Sequence, residues 1–289
     1  MEWTPGGSNS DIEDRRDQSG GGVGGGGFGF GGLGIGGIIV VGLLSLLFRQ
    51  NLFTLFSGAG PATQQQVRAV PDRERDAREQ PEVDFVSFVL KDVQDNWDRA
   101  LPEMASRPYR HAKLVLFRNA YPSACGLAKD AIGPFYCPED EKVYLDLGFF
   151  DELRNRFGAP GEFAQAYVIA HEIGHHVQKI LGIEPKVRRL QQSNPEEANP
   201  LSVRLELQAD CFAGVWAHST AQRKIIDESD VQAGLGAAAA VGDDRLQRMA
   251  TGRVSPESFT HGSSAQRTGW FKRGFDSGQV SACNTFQRQ

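Results

Sequence analysis

Positive charge is short in this chain: 31 lysines and arginines face 36 aspartates and glutamates, for a net charge of −5 and a pI near 5.7. That balance argues against a nucleic-acid binder, which carries a basic patch. There is no P-loop and no internal repeat, so Walker-type nucleotide hydrolases and repeat solenoids are set aside. GxGxxG spacings fall in the glycine-dense tract Gly20–Gly37 with no strand before them, so no nucleotide cofactor is expected. No apolar run stands close to Met1; the first one lies behind an acidic segment, which argues against a cleaved signal peptide. Cysteine is limited to four residues, Cys125, Cys137, Cys211 and Cys283.

What the chain does contain falls into four stretches. Residues 1–27 are polar and then glycine-rich, the composition of a disordered tail. Residues 28–48 carry no charge and are long enough to cross a bilayer as a single helix, with Arg49 closing the run. Residues 49–81 end in proline, glutamine and alternating charge, a linker composition. Residues 82–289 are expected to fold as one domain. All four cysteines lie after the apolar run, which suits an oxidising compartment and an extracytoplasmic domain on a single-pass membrane protein. Cys125 and Cys137 are a local pair across a Gly/Pro-containing loop; Cys211 with Cys283 would be the second bridge, one of three connectivities, against four reduced thiols.

The chemistry concentrates in Ala164–Leu181, AQAYVIAHEIGHHVQKIL. Residues four apart share a helix face, so His171 and His175 aim two imidazoles at one point, with Glu172 beside them. Two neutral nitrogens for a metal and a carboxylate for its water are what a zinc hydrolase needs. Ala166, Ile169, Ala170, Ile173, Val177 and Ile180 recur at helical spacing and predict a core-facing stripe opposite a cleft. His176, about 100° away, reads as a structural residue.

A second helix, about Ser202 to Ser219, carries Glu206 and Asp210 one turn apart, with Leu201, Leu205, Phe212, Val215 and Trp216 on the other face. Glu206 would supply the third ligand of a His₂Glu site. Asp210 would accept the free ring N–H of a liganding histidine. His261 is the candidate donor to a tetrahedral oxyanion, with Arg267 as the alternative. Asp243 and Asp244 read as a surface turn, with capping or orienting the site as the alternative, and Val143–Leu147 as the strand along which an extended substrate would lie or else an ordinary core strand.

HEIGHHVQ followed by ELQADCFAGVWA resembles the neutral zinc metallopeptidase family of bacterial membrane-anchored proteins. The likeness extends through CG…GPFYCP…VYLD and HGSSAQR…WF…G, and the zinc pattern is also that of the wider gluzincin clan. The resemblance implies an α+β, mostly helical, zincin-like domain with a small β-sheet, preceded by a single transmembrane helix. It implies Zn²⁺ held by His171, His175 and Glu206, with Glu172 as catalytic base and a peptide or protein substrate. Two other readings stand beside it: a noncatalytic scaffold stabilised by zinc, and a zinc hydrolase of a non-peptide amide or ester.

Overall fold

The computed structural model describes residues 1–5, 9–18, 73–105, 107–129 and 133–287. Short apolar runs give the strands. β1 (Ile12–Asp14), β2 (Lys113–Phe117), β5 (Phe135–Cys137) and β6 (Lys142–Asp146) form one sheet in the order β1-β2-β6-β5. β1–β2 and β2–β6 run parallel, and β5 returns antiparallel to β6. β3 (Ala120–Ser123) and β4 (Gly126–Lys129) make a separate hairpin, tied to β5 by the Cys125–Cys137 disulfide.

Eight α-helices accompany the sheet among the described residues: α1 (Arg73–Ala105), α2 (Gly148–Asn155), α3 (Glu162–Ile180), α4 (Ile183–Ser193), α5 (Ala198–Gln222), α6 (Glu228–Ala240), α7 (Asp243–Thr251) and α8 (Ser264–Ser277). The core is built on α3. α5 packs on it through Phe163 stacked on Trp216 at 5.6 Å, and α1 meets α5 through Trp97 on Phe212 at 5.3 Å between ring centroids. The predicted stripe of α3 is buried, as are His171 and Glu172 opposite it. The expected two-faced helix is therefore enclosed on nearly every side, because α5 and α8 cover its polar face.

The mostly helical build with a small mixed sheet matches the expectation; the membrane helix in front of it does not. Among the described residues no helix is long and apolar enough to cross a membrane. Residues 28–48, on which that expectation rested, lie outside the described residues. The physical reason is topological. β1 precedes that segment, β2 follows it, and the two pair side by side in parallel. Strands sharing one ladder lie side by side, so the described residues before and after that segment are parts of one sheet. The single-pass anchor, the membrane as partner and the extracytoplasmic placement built on it are withdrawn, as is the membrane-anchored part of the family description.

Two boundaries also differ. The stretch read as a tail through residue 27 contributes β1, and Arg73–Pro81 of the expected linker is helical. α1 runs through Pro81 because its first turns are held from outside: Arg118, buried, pairs with Asp76 and Glu79, and Arg16 also reaches Glu79 at 3.0 Å.

Candidate metal centre

α3 begins after Gly161, whose φ of +111° suits glycine, and Glu162 in its first turn complements the helix dipole. About three turns on, α3 crosses α5 at Gly174. A methyl group there would lie 3.1 Å from the Cα and the carbonyl oxygen of Ala209. Glycine lets the backbones approach this closely without displacement, and that approach brings Glu206 under the two histidines.

Three groups converge at the crossing. His171 Nε2 lies 3.2 Å from one Glu206 oxygen, and His175 Nε2 lies 3.5 Å from the other. One ligand atom from each of His171, His175 and Glu206 falls within 4.8 Å of the others, so the three could hold a metal ion. The far side of each imidazole is engaged. His171 Nδ1 meets Asp210 at 2.9 Å, and His175 Nδ1 meets the Gln178 side-chain oxygen at 2.9 Å. Asp210 is itself gripped by Arg267 through two bonds of 2.9 Å and accepts from the Tyr167 hydroxyl.

The electrostatics follow from burial working against these partners. Burial pulls the His171 pKa down, but Asp210 and Glu206 outweigh it and hold it up to about 10. Burial would raise the Glu206 carboxyl, yet His175, His171 and His261 keep it well below its ordinary value. Burial, helped by the charges of His171 and Arg267, lowers His175 against Glu206 and Gln178. Glu172 is pushed by burial up to about 7, while the Tyr136 backbone N–H bonds to its carboxylate. That bond sets edge strand β5 beside the base.

The remaining sequence candidates separate. His261 is partly buried with Nδ1 3.1 Å from Asp243, close enough to Glu206 to feel its charge. Arg267 is committed to Asp210 and lies 3.8 Å from Glu206, so it orients the acid behind His171. The expected substrate strand, Val143–Leu147, corresponds to β6, which lies between β2 and β5 with both edges paired. The edge is β5. Cys211 is joined to Cys283. His176 is fully buried between the Tyr136 hydroxyl at 2.9 Å and the Arg110 carbonyl at 2.6 Å.

Asp243, read as a surface turn, is buried. One of its oxygens accepts from the backbone N–H groups of Thr260, His261 and Gly262 at 2.7, 2.6 and 3.0 Å. No local pattern could have shown this, because those partners are 17 to 19 residues away. Tyr167 and Gln178 did have a signal: they stand four before His171 and three after His175, on the helix face of the ligands.

The chain is 48% identical over 289 residues, 99% of both lengths, to "Uncharacterized protein YpfJ" of Escherichia coli strain K12. It is 44% identical over 189 residues, 62% of this chain and 63% of the relative, to "Uncharacterized protein Mb2605" of Mycobacterium bovis. No solved structure matches it. A family-wide sequence pattern described as "Putative neutral zinc metallopeptidase" covers residues 1–286, nearly the whole chain, and the chain belongs to that family.

Proposed function

We propose that the protein is a zinc-dependent peptidase that hydrolyses peptide bonds with Glu172 as general base. The observation that carries this reading is the convergence of two imidazole nitrogens on the Glu206 carboxylate with Glu172 buried beside them. The donor set fits zinc. Two imidazole nitrogens and a carboxylate oxygen, one ligand atom from each residue within 4.8 Å of the others, are ligand types that zinc takes in a three-protein-ligand site. Zinc bound there would polarise a carbonyl and make a water acidic near neutral pH.

The chain's own residues supply the rest. His171 and His175 offer Nε2 because Asp210 and Gln178 occupy Nδ1. Glu172 accepts the proton of the attacking water and delivers it to the leaving amine. His261, oriented by Asp243, donates to the developing oxyanion. β5 offers main-chain groups on a sheet edge next to Glu172, so an extended peptide adds to the sheet there. A site kept for stability alone closes with a fourth protein ligand, whereas the cluster among the described residues has three.

The test is Glu172→Gln. Purified protein should cleave denatured protein or a peptide library, lose that activity with a chelator, and lose it in Glu172→Gln while keeping zinc and fold. Cleavage surviving in a clean Glu172→Gln preparation would overturn the mechanism. Ester or non-peptide amide turnover with no peptide cleavage would move the substrate class.

A further inference from the structure

Behind His175 a run of buried side-chain amides leads from the metal centre to the last turn of the chain. Gln208, on α5, donates from its NH₂ to the Cys283 carbonyl at 2.9 Å. Gln178, on α3, donates from its NH₂ to the Leu205 carbonyl at 2.7 Å and to the Gln208 side-chain oxygen at 3.2 Å. The Gln178 oxygen then meets His175 Nδ1 at 2.9 Å. Both glutamines are buried, which keeps water from replacing any link.

The direction of this relay is fixed by its ends. A main-chain carbonyl can only accept. Cys283 therefore turns the Gln208 NH₂ outward and its oxygen inward. That oxygen, together with Leu205, takes the Gln178 NH₂ and leaves an acceptor facing His175. Only an Nδ1–H can satisfy an acceptor there, so the lone pair stands on Nε2, the nitrogen turned to Glu206. His171 is set by a separate device, the charged Asp210.

The turn that starts the relay is pinned to the helix that carries Glu206. Cys283 is disulfide-bonded to Cys211, the residue after Asp210, and Thr285 donates to the Arg204 carbonyl at 2.7 Å. We propose that the turn Val280–Cys283 is a positioning element for His175, setting its tautomer through Gln208 and Gln178, so that metal retention depends on the Cys211–Cys283 disulfide as well as on the ligands. The proposal rests on the metal-centre reading above and is independent of which bond is hydrolysed.

The experiment uses the full chain with Gln178→Met, Gln208→Met and the pair Cys211→Ala/Cys283→Ala. Imidazole ¹⁵N spectra of metal-free protein read the tautomers of His175 and His171, and chelator competition reads the zinc dissociation constant. In the parent protein His175 should be the Nδ1–H tautomer, while His171, held up by Asp210 and Glu206, should be doubly protonated. Gln178→Met should release His175 to a mixture, leave His171 unchanged, and weaken zinc binding ~10-fold or more. Gln208→Met and the cysteine pair should act in the same direction by less, because Leu205 still orients Gln178. Unchanged tautomer and affinity in Gln178→Met would overturn the relay. Parent-like zinc binding in Gln208→Met would remove the C-terminal turn from it, and that near-isosteric variant decides the point if the cysteine pair does not fold. A parent protein that binds no zinc would defeat the proposed function, while the metal-free spectra would still judge the relay.

Discussion

Asp210 holds His171, Tyr167 and both ends of the Arg267 fork at once, and it is completely buried. Burial alone would raise its carboxyl; Arg267 and His171 hold it below the usual range. Asp210→Asn removes the counter-charge of a buried guanidinium. It should cost about 3–5 kcal/mol, read from the urea midpoint, and weaken zinc binding ~10–100-fold. Glu206→Gln, at a half-buried position, should lower zinc content with a much smaller shift in the midpoint. His171 makes a further prediction. With its pKa near 10 it is protonated at neutral pH, and a metal must displace that proton. Loading zinc at pH ~6 should release at least one proton per ion, from His171 and in part from Glu172, measured by calorimetry in buffers of different ionisation enthalpy. Uptake without release would contradict the assignment of His171. Glu172 must be ionised to act as base; its value near 7 drops beside a cation, so the acid limb of kcat/KM should lie below pH ~7.

Helix crossings set the site at the next scale up. A methyl at Gly214 would stand 2.1 Å from the Phe271 carbonyl oxygen, and one at Gly274 would stand 2.0 Å from the Cys211 carbonyl oxygen. α5 and α8 thus meet backbone to backbone, which is what delivers Arg267 to Asp210. Gly214→Ala and Gly274→Ala should each destabilise by about 3 kcal/mol, the upper part of the overpacking range, read by denaturant titration. Gly174 differs, because its neighbours stand at 3.1 Å and need move only slightly. Gly174→Ala gains about 1 kcal/mol of helix propensity, which offsets much of the crowding. Its expected signature is weaker zinc binding with a nearly unchanged midpoint. Equal loss of both would mean that this crossing serves only the fold.

Across the whole molecule, residues before the apolar run and residues after it make one unit. The Arg15 N–H donates to Leu116 at 2.7 Å, and the Leu114 N–H to Asp11 at 2.8 Å. Arg16 and Arg118, both buried, are ringed by Asp14, Asp76 and Glu79. Burial would raise Glu79 and Asp14, but their arginine partners hold both below their ordinary values of 4.5 and 3.8. A depressed carboxyl stabilises the fold fully above its unfolded value and loses that stabilisation as pH falls through the folded one. Hydrogen-exchange protection of the Arg15 amide should therefore fall steeply on acidification below pH ~4 while the α3 core stays protected. Protection unchanged to pH ~2 would show that the ion cluster does not hold β1.

Local spacing alone determined the chemistry: residues four apart on a helix share a face in any fold, so His171 with His175, and Glu206 with Asp210, were legible as pairs, and so was Glu172 beside the first pair. Cysteine spacing pointed to Cys125–Cys137 for the same reason of proximity. Everything that required one segment to meet another was decided by tertiary structure. That Gly174 lets α5 approach, that Arg267 faces Asp210, and that Asp243 gathers three amides from a distant loop are matters of packing between separate elements. So is the pairing of β1 with β2. Hydropathy reports what a segment tolerates, whereas the side of a membrane on which its flanks lie depends on what those flanks bind.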